Sequence, residues 1–96
     1  MADVYAKTAG DSVERVLHER GLGHLHVRGF GKHVIIHSGA PGVGENRARL
    51  TQVTSQRFRL DMADHRGRWE PTPFLGTWRE LLMQLIDDFG FVLVPW

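Results

Sequence analysis

The 96-residue chain contains no cysteine and no long apolar run. Without cysteine it has no disulfide, no thiolate metal ligand and no cysteine nucleophile, and this composition suits a reducing compartment. The first residues, MADVYAK, lack the basic and then apolar regions of a secretory signal. No run approaches the roughly 18 apolar residues of a membrane span. We therefore expect a cytoplasmic protein that is neither exported nor inserted into a membrane.

The sequence also lacks internal repeats, linkers and low-complexity segments. Its length suits one compact domain, and 42% hydrophobic with 24% charged residues is close to the composition of an ordinary globular protein. A single domain over residues 1–96 is therefore predicted.

Hydrophobic periodicity predicts two helices, one near each end of the chain. Asp11 can cap the first helix, which is predicted over about residues 11–20. The second helix begins with a capping box formed by Thr77 and Glu80, and its apolar residues continue at helical spacing as far as Phe89. Its apolar face must lie against another element.

Four stretches between the helices alternate with period two and predict an antiparallel meander: residues 24–28, 32–37, 47–53 and 57–62. If the first hairpin turns at Gly29 and Phe30, His26 faces His33. The apolar run 91–94 predicts a last strand at an edge. The predicted fold class is α+β, with the long helix packed on one face of a four-stranded meander, a short N-terminal helix and a short C-terminal edge strand.

The stretch RWEPTPFLGT, residues 68–77, is interpreted as a corner between the last meander strand and the second helix. Each proline biases the residue before it toward extended geometry, which delays the helix. Trp69 and Phe74 are expected to fill the edge of the interface between sheet and helix. The alternative is an aromatic platform that grips a partner peptide, and it requires Trp69 to be exposed.

The order of the segments ARLTQVTSQRFRLDM, RWEPTPF, GTWRELL and DDFGF is similar to that of a family of small bacterial domains of unknown function. The resemblance covers roughly residues 47–93. It implies the layout of the fold and a bacterial source, and it carries over no catalytic residue.

No catalytic motif is complete in the sequence. The loop SGAPGVGEN has two glycines at phosphate-loop spacing, but Glu45 and Asn46 stand where a lysine and a hydroxyl residue are needed. Ser12 and Ser38 lack the glycines of a nucleophile elbow. We therefore expect a protein that is not an enzyme and that uses no cofactor.

Histidines raise the question of a metal site. The alternation places four of them on the outer face of the predicted sheet: His24, His26, His33 and His37. Two or three imidazoles could bind Zn²⁺ there, with His24, His26 and His33 as the candidate set. Ile35 shares that face, however, and no Asp, Glu or Cys in the run completes the ligand shell. The sequence analysis therefore assigns no metal site.

The strongest functional signal is the basic outer face of the predicted sheet. Residues 24–70 carry eight basic and four acidic side chains, although the whole chain has a net charge of only +1. Arginine side chains suit phosphate and carboxylate groups, and like charges on adjacent strands repel unless a partner neutralises them. The candidate partner-binding residues are Arg28, Arg47, Arg49, Arg57, Arg59, His26 and His33.

Two functions remain open for this face. The leading hypothesis is a small non-catalytic interaction protein that docks an acidic protein partner, as an accessory or inhibitor subunit. The alternative is nucleic-acid binding with little sequence selectivity, through phosphate contacts. The sequence places no aromatic ring on this face, whereas RNA-binding sheets use such rings for stacking. The apolar tail FVLVPW could also pair edge to edge and form a homodimer.

Overall fold

The computed structural model describes residues 2–39, 45–64 and 66–93, and for residues 2–8 it describes the backbone alone. The fold is α+β, with one five-stranded antiparallel sheet and two α-helices. The strands follow one another across the sheet in chain order. The elements are α1 (Ala2–Glu19), β1 (Leu25–Phe30), β2 (His33–Ser38), β3 (Glu45–Gln52), β4 (Phe58–Ala63), β5 (Trp69–Gly76), α2 (Trp78–Asp88) and a 3₁₀ helix (Gly90–Val92).

Both helices pack on the same face of the sheet. Val13 and Leu17 of α1 and Leu82 and Leu85 of α2 belong to the same buried cluster. The strands contribute alternate residues to this cluster: Leu25, Val34, Ile36, Ala48, Leu50, Phe58 and Leu60. The residues that alternate with these along the strands form the opposite face, which we call the outer face, and Glu14 and His18 of α1 reach it only at His26 on the edge strand β1. Neither of these helices combines the length and the apolar character that crossing a membrane requires.

Helix α1 is longer than predicted, because it begins at Ala2 and not near residue 11. Glycine disfavours helix interiors, yet Gly10 lies inside α1. In the structure Gly10 is buried against β1 and β2, and a Cβ atom at this position would lie 3.5 Å from Cγ1 of Val27 and 3.8 Å from Cγ1 of Val34. Packing of the helix against the sheet therefore outweighs the low helix propensity of Gly10.

Replacing Gly10 by alanine is expected to raise the free energy of unfolding by about 0.5–1 kcal/mol. Both contacts of the new methyl group are ordinary van der Waals distances, and alanine restricts the unfolded chain more than glycine does. Urea denaturation measures the difference. Gly21→Ala is the matched control, because Gly21 has a φ of 80° and alanine there should destabilise the protein. A loss of stability in Gly10→Ala would contradict the packing described here.

The turn of the first hairpin differs from the prediction. It lies at Gly31 and Lys32, where Gly31 adopts a φ of 58°, and not at Gly29 and Phe30. The prediction that His26 faces His33 is therefore wrong. His26 pairs with His37, and Phe30 pairs with His33. A glycine with positive φ suits a two-residue hairpin turn, and the sequence contained two glycines that could supply it.

The predicted corner is a fifth strand. Residues Trp69–Gly76 form β5, which pairs with β4 at the edge of the sheet. Edge strands tolerate proline because one side of the strand makes no ladder hydrogen bonds. The pairing is irregular between Arg59 and Asp61, and here the hydroxyl of Thr72 donates a hydrogen bond to the carbonyl of Leu60 at 2.7 Å.

The C-terminal half of the fold confirms one prediction and corrects another. The capping box is present, since the Thr77 hydroxyl accepts from the Glu80 N–H and the Glu80 carboxylate accepts from the Thr77 N–H. The predicted edge strand is wrong, because Gly90–Val92 form a 3₁₀ helix and Leu93 is buried in the core. Residues 94–96 lie outside the described part of the chain, and they are half of the proposed dimer-forming tail FVLVPW.

Candidate functional site

The outer face combines basic, aromatic and apolar side chains. Its residues follow from the strand registers and from the alternation of side chains along each strand. They are His26, Arg28, Phe30, His33, Ile35, His37, Arg49, Thr51, Arg59, Asp61, Trp69 and Leu75. Five of the seven predicted partner-binding residues lie on it: Arg28, Arg49, Arg59, His26 and His33.

Arg47 is not on the outer face. The register between β2 and β3 shifts at a bulge after Ile36, and this shift removes Arg47 from the predicted alternation. Its guanidinium donates to the Ser38 hydroxyl at 3.3 Å and to the carbonyl of Val92 at 3.0 Å. Arg47 is buried, and burial lowers the pKa of its guanidinium. This arginine therefore holds the C-terminal segment against the sheet.

Arg57 also lies outside the outer face. It precedes β4 and is exposed, and its charge acts on Glu80 at the beginning of α2. The pKa of Glu80 is lowered mainly by hydrogen bonds from Thr77, and the charge of Arg57 adds to this effect. The prediction placed Arg57 on the outer face by extending the strand by one residue.

Asp61 organises the centre of the outer face. Its carboxylate is fully buried and accepts hydrogen bonds from Nε of Arg49 at 2.9 Å, Nε of Arg59 at 2.8 Å and Oγ1 of Thr51 at 2.6 Å. Burial alone would raise the pKa of Asp61, but the hydrogen bonds from Arg59, Thr51 and Arg49 outweigh it and hold the pKa below its ordinary value. Two of the predicted partner-binding arginines are thus paired within the protein.

His33 extends this network by one hydrogen bond. Its Nδ1 lies 3.0 Å from Oγ1 of Thr51. Because the Thr51 hydroxyl gives its proton to Asp61, it accepts the proton of Nδ1–H from His33. Burial lowers the pKa of His33, and the charges of Arg49 and Lys32 lower it further. The lowered pKa favours the neutral form of His33, so we do not count it among the charges of the face.

The prediction that Trp69 fills the interface between the sheet and the helix is wrong. Cζ of Arg49 lies 4.6 Å from the centroid of the Trp69 ring, which places this ring on the outer face. Phe74 does pack against the core as predicted, and its ring centroid lies 5.8 Å from that of Phe89. The outer face thus carries aromatic rings that the sequence analysis missed, because the strand that presents Trp69 was interpreted as a corner.

An open depression of about 500 Å³ lies beside the Asp61 network. It is lined by Arg28, Phe30, His33, Ile35, Arg49 and Trp69. Phe30 is 72% exposed, which is unusual for a large apolar side chain in a sheet. Arg28 forms no ion pair with any residue that the structure describes. The depression can therefore accept an apolar group together with a carboxylate or a phosphate.

The candidate zinc set predicted from the sequence is not brought together. Nε2 of His24 donates to the carbonyl of Leu93 at 2.6 Å, at the C-terminal segment. His26 lies beside His37, with ring centroids 5.9 Å apart, and His33 lies at the other end of β2. His26 instead approaches Glu14 and His18 of α1.

Comparison of the chain with protein-family models, with curated proteins and with solved structures returns no significant match. The resemblance to a family of small bacterial domains therefore stays a prediction, and the functional argument depends on the geometry of the outer face.

Proposed function

We propose that the chain is a small non-catalytic interaction protein that docks an acidic segment of a partner protein in the depression on its outer face. The observation that carries this proposal is Arg28, whose guanidinium has no carboxylate partner among the described residues and stands beside the exposed ring of Phe30. Arginine and large aromatic residues are enriched where protein interfaces bind most tightly. The partner would use the chain as an accessory or inhibitor subunit.

The charges of the outer face favour an acidic partner. The outer face carries three arginines, Arg28, Arg49 and Arg59, and one carboxylate, that of Asp61. These four groups together have a net charge of +2. Lys32 adds a further charge at the neighbouring turn. An acidic segment would neutralise this surplus, and its apolar residues could cover Phe30.

Binding of single-stranded nucleic acid by the same face is the second candidate. The rings of Trp69 and Phe30 favour it, because bases stack on exposed aromatic side chains. The Asp61 network weighs against it. Nucleic-acid affinity grows with the number of phosphates neutralised, and Arg49 and Arg59 already direct hydrogen bonds to Asp61.

An amide NMR titration tests the proposal with defined probes. The labelled protein is titrated with a short glutamate-rich peptide that has one central phenylalanine, and separately with a single-stranded oligonucleotide. We expect the peptide to shift the signals of Arg28, Phe30 and Ile35 and the indole N–H of Trp69. Arg28→Glu should weaken peptide binding by at least about tenfold.

Arg15→Glu is the matched control, because Arg15 is exposed on α1 and the change in net charge is the same. Equal weakening by both variants would indicate attraction to overall charge and would contradict a defined docking site. Binding of the oligonucleotide alone, with affinity that falls steeply between low salt and about 150 mM salt, would favour the second candidate.

A further inference from the structure

A group of potential metal ligands lies apart from the depression, where α1 meets the edge strand β1. Glu14 and His18 are one helical turn apart on α1, and His26 is on β1. Oε1 of Glu14 lies 3.7 Å from Nδ1 of His26 and 3.8 Å from Nε2 of His18. One ligand atom from each residue lies within 4.8 Å of the other two. We propose that these three side chains bind a divalent late transition-metal ion such as Zn²⁺.

The spacing of the ligand atoms is close to that of a bound zinc site. Zinc bonds of about 2.0–2.1 Å in a tetrahedron place neighbouring ligand atoms roughly 3.4 Å apart. The two measured distances to Oε1 of Glu14 exceed this value by only a few tenths of an ångström. The ligand atoms of His18 and His26 lie within 4.8 Å of each other, so rotation of these exposed side chains would have to bring them closer together to close the site.

The donor types select the class of metal. Two imidazoles and one carboxylate suit zinc, copper, nickel and iron, whereas magnesium and calcium prefer oxygen ligands. The side chains of His18, His26 and Glu14 are 42%, 50% and 33% exposed, so an ion can enter from solvent. Three protein ligands leave a fourth position for water or for a group from a partner.

Metal binding at His18 exchanges one bond for another. Nε2 of His18 lies 2.8 Å from the carbonyl oxygen of Leu25 and donates its proton there. Coordination through Nε2 would replace this hydrogen bond with a metal bond, and the ring proton would move to Nδ1 so that the ligand is a neutral imidazole. Protons compete with metal ions for imidazole nitrogens, so zinc binding should weaken in acid.

A third histidine lies beside the site and is held by its own hydrogen bond. His37 is buried, and its Nδ1–H donates to the carbonyl of Gly39 at 3.0 Å. Its ring lies 5.9 Å from that of His26. A bound ion would join α1 directly to the edge strand.

Zinc titration of the tag-free, chelator-treated protein tests the site. Imidazole nitrogen signals of His18 and His26 should shift, whereas those of His24 and His33 should not. Saturation with zinc should raise the melting temperature by more than about 5 °C, and magnesium should leave it unchanged. His18→Gln and His26→Gln should each weaken zinc binding by at least about tenfold, since even loss of an outer-shell contact has an effect of that size.

His33→Gln is the matched control, because it removes one imidazole from the same sheet at a position far from Glu14. It should retain the zinc affinity of the unaltered protein. The inference is overturned if zinc at millimolar concentration shifts no imidazole signal, if the shifts occur at His24 or His33, or if both glutamine variants at His18 and His26 keep full affinity. Circular dichroism without metal shows whether each variant is folded.

Discussion

Replacing Asp61 by alanine is expected to lower the free energy of unfolding by about 3–5 kcal/mol. The substitution removes a buried carboxylate and leaves the hydrogen-bond donors of Arg49, Arg59 and Thr51 without their acceptor. Loss of one member of a buried charged group is more harmful than absence of the whole group, because the remaining charges lose their partner; the effect should be larger for Arg49, with a side chain 16% exposed, than for Arg59, which is 33% exposed. Guanidinium chloride denaturation measures the loss.

Two controls separate this effect from a loss of negative charge alone. Asp87→Ala removes an exposed carboxylate from the last turn of α2, where a negative charge opposes the helix dipole, and should be neutral or slightly stabilising. Replacing Asp61, Arg49 and Arg59 together with apolar residues should recover much of the loss. A loss below about 1 kcal/mol in Asp61→Ala would show that the network is weak.

The acid dependence of the same variant follows from the direction of the pKa shift. The pKa of Asp61 is lower in the folded protein than the value of about 3.9 for a free side chain. Its contribution to stability is therefore complete above that value and is lost as the pH falls through the folded pKa. The stability difference between the unaltered protein and Asp61→Ala should be constant near neutral pH and should shrink in strong acid.

Arg49→Glu is expected to lower the free energy of unfolding by at least about 3 kcal/mol, whereas Arg57→Glu should change it by about 0.5 kcal/mol or less. The first substitution places a second carboxylate against buried Asp61 and removes the cation from the Trp69 ring. The second alters an exposed side chain. Thermal unfolding of the two variants side by side measures the contrast, and equal losses would contradict it.

This contrast decides how the docking surface should be tested. If Arg49→Glu no longer bound the partner, the cause could be either the destabilised sheet or the lost contact with the partner. Arg28 is the informative position, because the structure gives its charge no carboxylate partner in the described chain. Folded Arg28→Glu protein that no longer binds the acidic peptide would assign the loss to the surface.

The sequence predicted the parts of the fold in which periodicity is strong. The apolar positions of β1 to β4 and the capping box of α2 lie where the alternation and the helical spacing placed them. Besides the first hairpin turn and the C-terminal segment, the features that escaped it include the bulge after Ile36, the start of α1 and the fifth strand. Each of them depends on tertiary contacts. Gly10 is helical because it packs on the sheet, and β5 is a strand because it forms backbone hydrogen bonds with β4.

The candidate site, like the fold, could be predicted from the sequence only in part. The alternation placed Arg49, Arg59 and Asp61 on one face, and the cross-strand pair of Arg49 with Asp61 was within reach of the sequence once the register was known. The count of arginines nevertheless overstated the positive charge that is available to a partner, because Arg49 and Arg59 form ion pairs with Asp61. The ligand group at Glu14 was not predicted, since the sequence analysis did not predict what the first helix packs against, and it assigned His26 to the wrong cross-strand pair.

The prolines of β5 have a consequence for self-association. A meander that runs from β1 to β5 ends in two edges, and unpaired N–H and C=O groups on an edge can template the addition of strands from other molecules. Pro71 and Pro73 have no N–H, and they fall within the eight residues of β5. A strand from another molecule that pairs with β5 would therefore find backbone N–H donors missing at Pro71 and Pro73. The residues that made this stretch look like a corner thus leave the β5 edge with fewer donors for edge-to-edge pairing than the β1 edge, which contains no proline.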